Sequence, residues 1–185
     1  VEMDTVHSSR ESKKTLLTFY FTEQKLFLAF LMNRCTKGAV RLVFEHLEKR
    51  LGTFEFISLF EYVLTDRGSE FGDPNALETG TNAIQRCSLY YCDPMRSGQK
   101  GGVENVHTML RMVLPKGNSF EFLTQWDVNL IVNHINSTPR ESLGGKTPYA
   151  LALSAFGEDT LKALQLRCIN PDEVNLTPKL IRFNR

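Results

Sequence analysis

Apolar residues alternate with polar ones in the first third of the chain, then recur at helical spacing. Residues 1–6 form a short alternating stretch. Residues 16–21 and 27–32 are dense in aromatic and branched side chains, and the polar segment 22–25 joins them as a hairpin. Val40, Val43, Phe44, Leu47 and Leu51 share one helical face, with Thr36 as the N-cap and Gly52 as the stop. The pattern then predicts a short helix over 54–60 and a buried strand over 62–65 that runs into Asp66. A Gly-, Asp- and Pro-containing connection with at most one helical turn follows over 67–83, then a strand over 86–92 and a loop over 93–102. From Gly102 a helix buries Val103, Val106, Leu110, Val113 and Leu114 and turns Glu104, His107, Thr108 and Arg111 the other way; Pro115 and Gly117 end it. Thr124 and Asp127 form a capping box for a helix that buries Val128, Ile131, Val132 and Ile135. Pro148 opens a last helix that ends near Gly157. This order predicts an α/β fold with a mixed sheet.

Composition narrows the class. The 185 residues are 42% hydrophobic and 23% charged, the balance of a soluble globule large enough for a real core. The longest apolar run, 26–32, is strand-sized and far short of a membrane span. The acidic start at Val1 shows no signal peptide, and the missing initiator Met suggests an excised piece. A cytoplasmic protein is the expectation. The net charge of +1 neither announces nor excludes a nucleic-acid partner, since an acidic metal site would offset basic contacts. Cys35, Cys87, Cys92 and Cys168 match no zinc spacing and read as reduced, mostly buried thiols. The Asn136 and Asn175 sequons read as chance.

Candidate chemistry rests on acids. Asp4 interrupts an otherwise core-type strand, Asp66 ends a short central strand before Gly68, and Glu104 opens an amphipathic helix after a Gly-rich loop. Strand ends of this kind are where α/β folds place active groups. Three converging carboxylates repel unless a cation joins them, and oxygen-only ligands select Mg²⁺ or Mn²⁺. Two such ions would serve phosphodiester chemistry. Glu70, Asp73, Glu78 and Asp93 compete for these roles, with Asp93 better suited to a turn before its proline.

Three stretches together resemble the integrase core of DDE transposases, nearest to insertion-sequence transposases of the IS-thirty type. They are VEMDTV at 1–6, LTDRGSEF at 64–71 and DPMRSGQKGGVENVHTMLRMVLPKG at 93–117; HINSTPR at 134–140 and GKTP at 145–148 match the family's usual ending. The resemblance implies a ribonuclease-H-like fold with a D-D-E triad, carried onto Asp4, Asp66 and Glu104 as catalytic and metal-holding residues. It implies 1–185 as a single domain, with a ribonuclease-H-like part at 1–117 and a C-terminal helical extension at 118–185. The implied activity is metal-dependent DNA strand cleavage and strand transfer on transposon ends and target DNA, by a homo-oligomer in the active complex. Two other readings stand beside it: a degenerate or domesticated core that binds without cutting, and a plain nuclease of the same fold. Arg67 departs from the usual Asn and adds a cation beside the site.

Around the triad, Lys100, Arg111 and Lys116 are the candidate DNA contacts, with Gln99 on the same approach, and Asn105 and His107 are the supporting residues. Arg67 reads as a candidate partner of a site carboxylate. Asn136, Arg140 and Lys146 read as loop-fixing or DNA-facing. Trp126 and Phe122 read as packing residues, and His46 as surface or core edge.

Overall fold

The computed structural model describes residues 1–93 and 97–181. Residues 94–96, within the expected 93–102 loop, and 182–185, at the end of the expected extension, lie outside the described residues. Five strands form one mixed sheet: β1 (Glu2–His7), β2 (Thr15–Phe21), β3 (Leu26–Met32), β4 (Tyr62–Thr65) and β5 (Ser88–Tyr91), in the order β3-β2-β1-β4-β5. The first three pair antiparallel as a meander, while β4 lies parallel to both β1 and β5. This puts the C-terminal ends of β1 and β4 side by side. Asp4 sits inside β1 and Asp66 directly follows β4, so the topology brings the two acids together.

Helices cover both faces, and strand alternation decides which residue meets which helix. Glu2 and Asp4 face α4 (Gly101–Val113), whereas Met3 and Thr5 face the opposite side. On that side lie α1 (Lys37–Leu51) and α2 (Thr53–Phe60), where Phe19, Phe44, Phe56 and Phe60 pack ring against ring, with Phe56 and Phe60 stacked at 4.7 Å. Both ends of α1 are local in origin. The Thr36 hydroxyl accepts the Ala39 N–H at 3.2 Å, and Gly52 ends the helix at φ 82°, a conformation that favours glycine. The 67–83 connection holds slightly more helix than expected: a 3₁₀ turn at Ser69–Phe71 and α3 (Pro74–Glu78), capped by Asp73. Asp73 is therefore spent as a cap.

The capping box at Thr124 and Asp127 opens α5 (Gln125–Asn136), which packs on β3. Asn136 is fully buried and both donates to and accepts from the Phe27 backbone, at 2.7 and 2.9 Å, so its role is to join α5 to β3. After α6 (Pro148–Phe156) the chain adds α7 (Glu158–Ala163), so α6 is not the last helix. Gly157, expected as a stop, also serves as the N-cap position of the next helix. Trp126 and Phe122, expected to pack, are 65% and 74% exposed. They stand on the outer side of the α5 entry, opposite the buried Val128 and Ile131. No described helix is long and apolar enough to cross a membrane.

Helix α4 is seated very closely on the sheet. The buried Glu2 carboxylate accepts the Val103 N–H at 2.6 Å, satisfying one open donor of the first turn with a negative group. A Cβ on Gly102 would lie 2.4 Å from the Tyr20 ring and 2.9 Å from Glu2. Gly102→Ala should therefore destabilise the fold by ~1–3 kcal/mol, since the Tyr20 ring and the Glu2 carboxylate must shift to admit the methyl group. Gly101→Ala, one residue earlier with open space around it, should be neutral or slightly stabilising. Equal urea midpoints for the two variants would show that α4 does not depend on this close approach.

Candidate active site

Two aspartates and one lysine form the centre. The Lys100 ammonium lies 3.3 Å from Asp4 Oδ1 and 2.9 Å from Asp66 Oδ2, and its side chain is 4% exposed. Lys100, expected as a DNA contact, is thus buried between the acids and paired with both. It ends the 3₁₀ turn Ser97–Lys100 immediately before α4, and the close seating of α4 carries it under the sheet. Burial would lower the Lys100 pKa, but Asp66 and Asp4 overcome it and hold the ammonium above its usual value. Burial would raise the Asp66 carboxyl. The Lys100 hydrogen bond and the Gly68 N–H, donated at 2.8 Å, outweigh it and keep Asp66 below the usual carboxylate range.

Glu104 is exposed, one helical turn beyond Lys100, and lines a cleft with Thr5, His7, His107, Thr108, Arg111 and Lys116. The three acids are not closed to ligating distance. Among the described residues, a different trio, His7, Cys35 and Glu70, has its ligand atoms within 4.8 Å of one another.

His107 is not a solvent-facing helix residue. Its Nε2 lies 3.0 Å from Thr18 Oγ1, and the Thr18 hydroxyl donates to the Asp4 carbonyl at 2.9 Å. The imidazole tautomer sets which of the two groups donates in the His107–Thr18 contact. Nδ1 faces Asp4 Oδ2 at 4.0 Å. Burial, aided by Arg111 and Lys100 and opposed by Asp4, pushes His107 down to about 4, so the ring is neutral at pH 7. Phe27 packs edge-on against it. His107 therefore braces the Asp4 backbone through Thr18.

The remaining candidates separate. Asn105 lies on another side of α4, in a groove with Tyr20, Met109 and Arg140, away from Asp4. Arg111 is half-buried and donates to the His7 carbonyl at 2.8 Å, tying α4 to the end of β1. Lys116 is exposed. Gln99 exchanges hydrogen bonds with Asp93. Arg67 is exposed and lies over the Tyr91 ring at 5.8 Å, rather than on a site carboxylate. Glu78 accepts the Leu89 N–H and so belongs to the sheet edge. Arg140 donates to the Ile135 carbonyl and contacts the Met109 sulfur, while Lys146 and His46 are exposed.

Sequence reasoning missed Glu2, Thr5 and Thr18, and held Glu70 only as a rival. Glu70 accepts from Thr5 Oγ1 at 2.8 Å. A Cβ on Gly68 would fall 2.7 Å from Glu70 Oε2 and 3.1 Å from Asp66 Oδ1, so both carboxylates flank the same glycine. The available signal was the i, i+2 alternation of β1, which sets Glu2 beside Asp4.

Comparison with known proteins bears on this geometry. The chain aligns over 83% of its length, and 93% of the other chain, with the catalytic core domain of BIV integrase, at a TM-score of 0.52 and 19% identity. Its fold is that of an integrase catalytic core. In sequence it is 30% identical over 91 residues to the transposase of insertion sequence element IS4351 from Bacteroides fragilis, covering 49% of this chain and 27% of that one. It is 31% identical over 83 residues to transposase InsI of element IS30A from Escherichia coli K12, covering 45% and 21%. The chain therefore matches only about a quarter of the length of these relatives. No family model matches the chain.

Proposed function

We propose that this chain is the catalytic core of a DDE transposase, which cuts a DNA strand at an element's end and joins the freed 3′-hydroxyl to target DNA. The observation that carries the reading is the convergence of Asp4 and Asp66, from neighbouring parallel strands, on a single cation with Glu104 one turn away. The similarity to insertion-sequence transposases supports the same class of chemistry.

The donor set fits a hard divalent ion. Two carboxylates already share one positive charge, and the Lys100 ammonium stands where such an ion would lie. Asp4, Asp66 and Glu104 would hold Mg²⁺ or Mn²⁺, which would supply charge neutralisation at the scissile phosphate. The protein's own part is positioning. Thr18 and His107 fix the Asp4 backbone, the Gly68 N–H orients Asp66, and Glu2 anchors the helix that carries Glu104. Lys116 and the exposed edge of Arg111 line the cleft beside Glu104 and suit a phosphate backbone. Action as a homo-oligomer on transposon ends and target belongs to the same proposal.

The test is strand transfer. The full-length protein should join a pre-cut element end to target plasmid with Mg²⁺ or Mn²⁺, and not in EDTA. Cleavage without any joined product would favour a plain nuclease. Undiminished joining in EDTA would remove the metal reading, and DNA binding with neither product would favour a degenerate core.

A further inference from the structure

A second cluster lies beside the proposed catalytic acids, on the other face of β1. His7 ends β1, Cys35 follows β3, and Glu70 sits in the 3₁₀ turn after Asp66. Their nearest ligand atoms lie within 4.8 Å of one another, with His7 exposed and the other two half-buried. Tetrahedral zinc ligands stand about 3.5 Å apart, so small side-chain rotations would close the set.

Zinc is the ion this donor set selects. A thiolate and an imidazole favour Zn²⁺ over Mg²⁺, and a single carboxylate completes three protein ligands. Thiolate and carboxylate together balance the ion's two charges, which lessens the cost of holding it in a half-buried place. The exposed side of His7 leaves the fourth position to water.

An independent observation points into the same place. Thr15 is the register partner of His7 across β1 and β2, and is 4% exposed. Its hydroxyl finds no regular hydrogen-bond partner among the described residues. It faces the Cys35 sulfur, where a donated hydrogen bond favours the thiolate. An otherwise unspent buried donor is what a metal-bound sulfur requires around it. In the metal-free protein, burial first and then the Glu70 carboxylate push the Cys35 thiol up to about 11, so it keeps its proton and pairs with Glu70. Metal entry must release that proton to solvent.

We propose that His7, Cys35 and Glu70 form a Zn²⁺-binding site, with Thr15 as a positioning residue, distinct from the Asp4–Asp66–Glu104 set. Occupancy ties the turn after Asp66 to the ends of β1 and β3. The proposal does not rest on the transposase reading, because binding is measured without DNA.

Cobalt(II) is the probe, since only a thiolate ligand produces a sulfur-to-cobalt charge-transfer band; an all-carboxylate site does not. The reduced protein titrated with Co²⁺ should develop that band at a single equivalent and lose it when Zn²⁺ is added. Cys35→Ser should abolish the band. His7→Ala should weaken Zn²⁺ binding more than about tenfold, and Thr15→Val should weaken it by roughly tenfold while shifting the band. Cys168→Ser and Glu104→Gln should leave band and affinity unchanged, because neither residue belongs to the cluster. No band at millimolar Co²⁺, or a band that survives Cys35→Ser, overturns the site. Full retention of affinity in Thr15→Val removes Thr15 from it.

Discussion

Asp66→Asn is expected to lower strand cleavage by at least about a thousandfold, the rate equivalent of losing several kcal/mol of charge stabilisation. It is also expected to lower the melting temperature of the metal-free protein. From the acids alone the opposite sign follows, because removing one of three repelling carboxylates should relieve strain. The structure reverses this. Lys100, 4% exposed, lies between Asp4 and Asp66, so the pair is attractive without metal. Asn cannot neutralise that ammonium, and Asp4 is left as its anionic partner. A charge-assisted hydrogen bond contributes about 1.5–3 kcal/mol. Asp66 is 48% exposed, so solvent screening reduces its share to ~1 kcal/mol. The melting point of a chain this size should fall by roughly 2–4 °C. Melts of both proteins, with and without Mn²⁺, check it. Metal at ~100 times its dissociation constant should stabilise the parent by about 2.7 kcal/mol and the variant by much less. A variant that melts at or above the parent without metal would mean that Lys100 does not hold the aspartates. One that keeps the full Mn²⁺ gain would take Asp66 out of the site.

Glu48→Ala carries the largest expected cost in stability, ~3–5 kcal/mol, as for a buried ion pair broken from one side. The Arg86 guanidinium is 1% exposed and lies over the Phe44 and Phe56 rings at 5.4 and 5.7 Å. It donates to the Leu77 and Ala76 carbonyls and, at 2.9 Å, to Glu48. Truncating Glu48 leaves this cation in the core with only neutral partners. Replacing both residues by Met should recover most of the loss, since two apolar side chains leave no stranded charge. Urea midpoints of the two variants are the measurement. A loss below about 1 kcal/mol in Glu48→Ala would show that the α3 carbonyls alone satisfy Arg86. The pair ties α1 to α3 and β5, within the connection that separates Asp66 from Glu104. Cleavage by the folded variant should therefore fall far less than in Asp66→Asn.

What the sequence alone determined is local. The order of strands and helices, the caps at Thr36 and Thr124, the stop at Gly52 and the apolar face of α4 all rest on groups within a turn of one another. Short-range hydrogen bonding and periodicity are written in neighbouring residues. Local pattern made Asp4, Asp66 and Glu104 candidates among several acids, and only the resemblance to DDE transposases singled them out. The second helical turn after 67, the helix after Gly157 and the exposure of Trp126 and Phe122 were not legible, because tertiary packing decides which short or apolar segments are covered. Tertiary structure alone decided what neutralises the acids. Lys100 reaches Asp66 across 34 residues, Glu2 caps α4 across 101, and Arg86 finds Glu48 across 38. A charged side chain looks the same in sequence whether it is solvated or buried. Only the close seating of α4 on the sheet, at Gly102, turned Lys100 from a presumed DNA contact into the cation between two aspartates.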